Sequence, residues 1–368
     1  MRALRAITVA ALLASVAACR SGPSEKVTVL NPPDVVDGPI SHQVPYVERS
    51  SGASAYADLV SARQVRSFEI DTGPDRGEPT DISITPDGDV AVADRRTGQV
   101  FTHSSDGRTV RMIAESVPRE FRLQRPHSII PMRQGLWAIG DASETIKFFA
   151  NSRGTLTPVR TIASRRGDDA CGFDDLIVVR SISDDLNLFH VYDANGTALR
   201  AFGKVFQHQS KIVRDSMSDG IVGCLPKAKA VIAVQHALPI VRAYGLDGAE
   251  RWATKLDGVR PLTISAVGDG FIYAVRKQGT EYDVPASINE LDGERILIQF
   301  ARVTRRGETD VEIRIHSVAL SARTGEGAYL GTSLPLVLEV VGRRLYATTL
   351  TKRGPLTITI YDMEGGES

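Results

Sequence analysis

Short apolar runs set the rhythm of this chain. From Pro79 onward, stretches of four to six β-branched or alternating apolar residues are broken by Asp-Gly, Arg-Gly or Thr-Gly, which is the spacing of strands joined by tight turns. Ile82 to Thr85, Val90 to Ala93, Val100 to His103 and Val110 to Ala114 make four strand candidates in one unit. The unit then recurs: Pro79, Gly88, Asp94, Phe101 and Gly107 reappear as Pro126, Gly135, Asp141, Phe148 and Gly154, each 47 residues on. A single four-strand meander cannot bury both its faces, but stacking such units around an axis can. A repeat of about 40 to 50 residues therefore predicts an all-β propeller.

Later units drift from the first two. The third shows Leu176 to Val179, Phe189 to Gly196 and Ala198 to Phe202; the fourth shows Ile221 to Cys224, Ala230 to Val234, Ile240 to Gly248 and Arg251 to Thr254. A closing signature survives in both, at Tyr192, Asn195 and Arg200 and at Tyr244, Asp247 and Arg251. The fifth unit begins with Leu262 to Ser265 and Phe271 to Val275, then loses register in a polar, Pro-containing stretch from Arg276 to Arg295. Ile296 to Val303 and Val311 to Leu320 follow as surplus strand candidates, so an enlarged blade with a long insertion is expected. The last unit, Leu336 to Val340, Arg344 to Thr348 and Leu356 to Tyr361, has only three strands. An isolated strand, Ser67 to Asp71, precedes the first unit. Pairing it onto the last unit closes the ring without an open edge and gives six blades. Seven is the alternative, if the surplus strands form a blade of their own.

The amino-terminal segment has a different pattern. Arg2 and Arg5 precede an apolar run from Ala6 to Val16 that is too short to span a bilayer, and small residues follow it. Residues 1–18 are expected to be a signal peptide, 19–64 an anchor and Pro-rich tether, and 65–368 the propeller. Within the tether, Ala53 to Ala62 could form a short helix with Tyr56, Leu59 and Val60 on one side. Val16-Ala-Ala-Cys19 resembles the bacterial lipobox, which implies cleavage before Cys19 and acylation of that residue. The alternative is an ordinary signal peptide in which Cys19 is incidental. Arg20 rather than Asp follows Cys19, which points to a cell-envelope protein held at the outer membrane, on its periplasmic side or at the surface.

Charge narrows the partners. The chain has 44 Lys+Arg and 44 Asp+Glu, so it lacks the basic footprint of a nucleic-acid-binding protein. With Cys19 used for lipid, Cys171 and Cys224 remain as either a disulfide in an oxidising compartment or two buried thiols.

Pro-x-x-Ile, Asp-Gly-x-Val-x-Val-Ala-Asp, Val-Phe and Asp-Gly, taken together, resemble the NHL-type repeat and related six-bladed propellers of bacterial lipoproteins. The resemblance implies architecture and leaves function open, because such propellers serve as binding modules, lactonases and lyases. A lactonase type would imply a calcium-like cation on Glu, Asn and Asp at the channel, yet Asn31, Asn151, Asn187, Asn195 and Asn289 all align away from it. An amidating-lyase type would imply zinc on several histidines, for which His127, His208 and His236 are the candidates. The repeat places Asp94, Arg95, His127, Asp141, Arg180, His208, His236 and Arg276 on one face around the channel. For Asp94 and Asp141 the competing reading is turn capping. Trp137 and Trp252 sit inside strand patterns and belong to the core. No Gly-x-Ser-x-Gly elbow and no phosphate-binding Gly loop occurs, and no cofactor is called for. The first reading is a binding or scaffold module, anchored to the membrane through Cys19, with a protein or small-molecule ligand on the propeller face. The alternative is a metal-dependent lyase or hydrolase.

Overall fold

The run Val90-Ala-Val-Ala-Asp94 is buried along its whole length, as a β-branched stretch must be when its sheet is packed between two others. The computed structural model describes residues 27–30, 38–46, 51–70, 78–85, 88–104, 108–113, 117–143, 145–152, 155–163, 169–182, 185–267, 270–273, 280–306, 310–348 and 356–363, and repeats that situation six times. Blade one is Pro79–Ile84, Val90–Asp94, Gln99–His103 and Thr109–Arg111; blade two is Ser128–Pro131, Leu136–Gly140, Thr145–Ser152 and Thr155–Ala163. Blade three is Asp169–Phe173, Leu176–Arg180, Asn187–Asp193 and Ala198–Lys204; blade four is Gly220–Leu225, Ala230–Gln235, Ile240–Gly245 and Glu250–Asp257. Blade five is Glu281–Glu290, Arg295–Arg305, Val311–Ser321 and Gly327–Gly331. Blade six is Leu336–Val341, Arg344–Thr348 and Leu356–Asp362, completed by Arg63–Ile70 from the other end of the chain. The innermost strands touch in sequence from blade one to blade six and back to blade one. The protein is a six-bladed β-propeller.

Closure follows the sequence expectation. Arg63–Ile70 lies antiparallel to Leu356–Asp362, with Ile70 opposite Leu356 and Arg63 opposite Asp362. The repeated glycines are also explained, since Gly88 and Gly135 take φ of 85° and 71° in equivalent turns, a region that side chains rarely enter. The repeated aromatic is different. Ala93 pairs with Val100 in blade one, but its counterpart Gly140 pairs with Ile146, so the blade-two turn is one residue shorter. Phe101 and Phe148 therefore face non-equivalent partners, Val92 and Ala138.

Blade five corrects the sequence reading. Ile264–Val267 and Gly270–Tyr273 are not its start but a separate hairpin, joined by Val27–Val29 in a three-stranded sheet. The surplus candidates are its second and third strands, and its inner strand is Glu281–Glu290, within the stretch expected to be an insertion. That strand escaped notice because its buried polar residues bond to neighbours: Asp283 to Arg302 and Arg260, and Asn289 to the Val337 carbonyl. Polarity here marks an inner strand tied to its neighbours and not a loop.

Apolar side chains between blades form the core. Trp137 packs with Ala93, Met112 and Phe149 between blades one and two. Trp252 packs with Leu256 and Phe300 between blades four and five, its Nε1 donating to the Ala322 carbonyl at 3.0 Å. The stretch expected as a tether lies partly against this ring. His42–Pro45 adds a fifth, parallel strand to blade four, and Tyr46 is buried against Phe300, His316 and Tyr329. Ser51–Tyr56 and Ala57–Val60 form helical turns that bury Leu59, and Arg295 grips Asp58 with two bonds of 2.9 and 3.0 Å. Among the described residues, no helix is long and apolar enough to cross a membrane; residues 1–26, with Cys19, lie outside them.

Ile70 is 1% exposed and sits in the core between blades six and one. Ile70→Ala should cost about 2–4 kcal/mol in urea unfolding, well above the cost of Val65→Ala at an exposed position of the same strand. Equal costs at the two positions would mean that this strand does not complete the ring.

Candidate functional site

Each inner strand begins on one face of the ring, here called the upper, and ends on the lower. Polar side chains on these strands tie each blade to the next. Asp81 accepts from the Ile129 amide at 2.8 Å, Asp169 from the Val222 amide at 2.9 Å, and Glu290 from the amides of Lys227 and Ala228 at 3.0 and 2.8 Å. Inside the ring these bonds hold together lies a cavity of about 360 Å³, with residues from all six blades in its wall. Asp81, Ser287, Asn289 and Glu290 supply much of its polar lining, and Lys227 and Glu339 stand toward the lower mouth. Asn289 thus faces the channel, contrary to the sequence alignment, and its amide is bonded to Val337. Cys171 and Cys224, on the inner strands of blades three and four, are bonded to each other with Cα atoms 5.5 Å apart, and both line the cavity.

The residues singled out from sequence lie elsewhere, on the upper face. Asp94 Oδ1 accepts from the amides of Glu78, Arg96 and Thr97 at 3.2, 2.8 and 3.0 Å, the turn-capping arrangement. Arg95 reaches Glu78 at 3.7 Å. His127 Nδ1 lies 2.9 Å from Ser128 Oγ, and His208 Nδ1 accepts from the Ser210 amide at 3.0 Å, at the start of the helix Lys211–Ser218. Arg276 lies outside the described residues. Each histidine thus has its own local partner, and among the described residues no three His, Cys, Asp or Glu side chains are grouped to hold a metal ion.

Two of the candidates do converge, through a residue that sequence reasoning missed. Asp219 bonds Arg180 Nη1 at 3.1 Å and His236 Nδ1 at 3.1 Å, while Arg180 Nη2 donates to the Ser218 carbonyl. Burial alone would raise the Asp219 carboxyl; His236, Arg180 and the Gly220 amide together hold it well below the usual carboxylate range. With Nδ1 committed to Asp219, His236 presents a buried Nε2 that has no partner. A carboxylate orienting one imidazole nitrogen and leaving the other to act is the arrangement of a general base or a ligand-binding histidine. The signal in sequence was faint, since Asp219 stands only before an inner strand.

Asp141 has a second role besides its turn. Its Oδ2 takes the ammonium of Lys147, which also donates to the Arg122 carbonyl at 2.8 Å and Ser143 Oγ at 3.1 Å. Both side chains are at most 3% exposed, so this is a buried ion pair with its donors satisfied.

No protein-family model matches the chain. No curated protein matches it in sequence. Solved structures match in shape. A Bacteroides fragilis protein inferred to be exported gives a TM-score of 0.57 at 9% identity, over 89% of this chain and 99% of its own. A virginiamycin B lyase from Staphylococcus aureus gives 0.47 at 9% identity, over 81% and 98%. At such identity the first likeness speaks for the propeller fold, and the second bears on neither activity nor substrate.

Lys147→Met leaves Asp141 buried and uncompensated and should cost about 3–5 kcal/mol, with much of the loss recovered by adding Asp141→Asn. A double variant no more stable than the single one would refute the buried pair. Because the folded Asp219 carboxyl lies low, its contribution is complete above the ordinary carboxylate range and is lost as pH falls through that range toward the folded value. Asp219→Asn should therefore flatten the acid limb of urea midpoints measured from pH 6 to 3. Superimposable limbs would show that the carboxyl is not held low.

Proposed function

We propose that this protein is a lipid-anchored, extracytoplasmic propeller that acts as a binding or scaffold module and takes its ligand in the central channel. One observation carries the reading: an open cavity on the axis, walled by all six inner strands and lined by charged and amide side chains. Concave, largely pre-formed sites with a few convergent polar groups are where ligands bind. The Cys171–Cys224 bond suits an oxidising compartment. The inferred export of the Bacteroides fragilis neighbour points the same way. The signal pattern and Val16-Ala-Ala-Cys19 supply the anchor and, with the repeat motifs, support kinship with NHL-type lipoprotein propellers.

A second reading rests on the Arg180, Asp219 and His236 cluster, whose oriented imidazole fits acid–base chemistry on the upper face. Ligand position separates the two. In a thermal-shift screen of small metabolites, compounds that stabilise the wild-type protein but not Lys227→Met, a change at an exposed residue of the lower mouth, support the channel reading. Stabilisation lost only in His236→Gln would move the site to the upper face.

The anchor has its own test. Cys19→Ala should shift the protein from the membrane to the soluble fraction. A variant that still sediments with membranes would contradict lipidation at that residue.

A further inference from the structure

Blade five carries a second site, away from the axis. Arg295–Arg305 and Val311–Ser321 are 11 residues each, longer than the second and third strands of any other blade. Alternation gives their upper ends one polar face, with Arg302 and Thr304 on one strand, Arg306 just past its end, and Glu312, Arg314 and His316 on the next. A cavity of about 160 Å³ opens on that face, bounded by these six residues together with Glu281 and Thr332.

Charge on this face is unbalanced. Arg302 and Arg314 stand directly opposite each other across the ladder, a pairing that repels unless an anion lies close. Asp283 engages Arg302 with two bonds of 2.9 Å. Glu281 takes Arg260, and Glu312 takes Arg306 as well as Arg314 Nε at 2.7 Å. In these bonds, among the described residues, four guanidinium groups meet three carboxylates, and the fork of terminal nitrogens on Arg314 is not used.

At the floor lies His316, 6% exposed. Its Nδ1 is 2.7 Å from Tyr329 Oη and its ring stacks on Tyr46, with centroids 5.3 Å apart. Nε2 is buried without a partner, which is costly for a polar atom unless a ligand or water completes it. Burial and the nearby Arg302 push the imidazole down to about 4, so the ring is neutral at pH 7 and its polar nitrogen meets a ligand without adding charge.

We propose that this cavity binds a small monocarboxylate, its oxygens facing the Arg314 fork and a neighbouring hydroxyl reaching His316 Nε2. Among the described residues these ion pairs leave one guanidinium in excess, the complement of one carboxylate. A cavity of about 160 Å³ has room for a molecule the size of acetate or lactate. A guanidinium fork favours the planar, two-oxygen carboxylate group.

The test is a titration of the full-length protein with sodium lactate, sodium acetate and sodium phosphate at ionic strength fixed with sodium chloride, followed through the arginine Nε–H signals by NMR. Saturable shifts are expected, with lactate binding more tightly than acetate. Arg314→Gln, at a side chain 63% exposed, should leave the fold intact and weaken lactate about tenfold. Glu312→Gln should do the reverse and tighten it, because a competing carboxylate is removed. Absence of a saturable shift, equal affinity in Arg314→Gln, or phosphate binding as tightly as lactate would each overturn the proposal.

Discussion

The pairing of Arg63–Ile70 with Leu356–Asp362 is the constraint on which the rest depends. A propeller blade buries its faces only against its neighbours, so an open ring would expose blade six on one side and blade one on the other. By placing one end of the chain on the other, that strand makes six partial sheets into one body. It also seals the cluster of Ile70, Ile82, Val92, Leu336 and Ile358, which draws its residues from both ends of the sequence.

Closure brings six inner strands together at close range, and their chemistry follows. Amides and carbonyls near the axis cannot all be satisfied within one sheet, so side chains serve the neighbouring blade: Thr80 donates to the Pro126 carbonyl, Asp81 and Asp169 accept from the next blade's amides, and Gln299 accepts from Val337. These bonds explain why the inner strands are polar although buried. The same polarity lines the channel cavity. Architecture and binding surface therefore draw on one set of residues, and the channel wall is preorganised as a consequence of holding the ring together.

Much of the fold was legible because strand periodicity and turn glycines are local. The repeat from Pro79 to Gly154 announced two blades, and the stray strand before Pro79 announced the closure. Blade five was misread because Asp283, Ser287 and Asn289 break the apolar pattern on an inner strand, where their partners come from residues distant in sequence. Site residues were harder for the same reason. Arg180 and His236 stand at strand ends that the repeat marks, yet Asp219, which joins them, has no local signature. Lys147 likewise lies inside an apolar strand and is explained only by Asp141 across a turn that differs by one residue from its counterpart. The packing of His42–Pro45 onto blade four was hidden by the prolines and small polar residues around it.

Hydrogen exchange measured by mass spectrometry tests the closed ring most directly. The account predicts that amides of residues 63–70 exchange as slowly as those of 356–362 and that the two segments open together, as one cooperative unit with the rest of the ring. Rapid exchange across residues 63–70 while residues 356–362 and the other blades stay protected would contradict it.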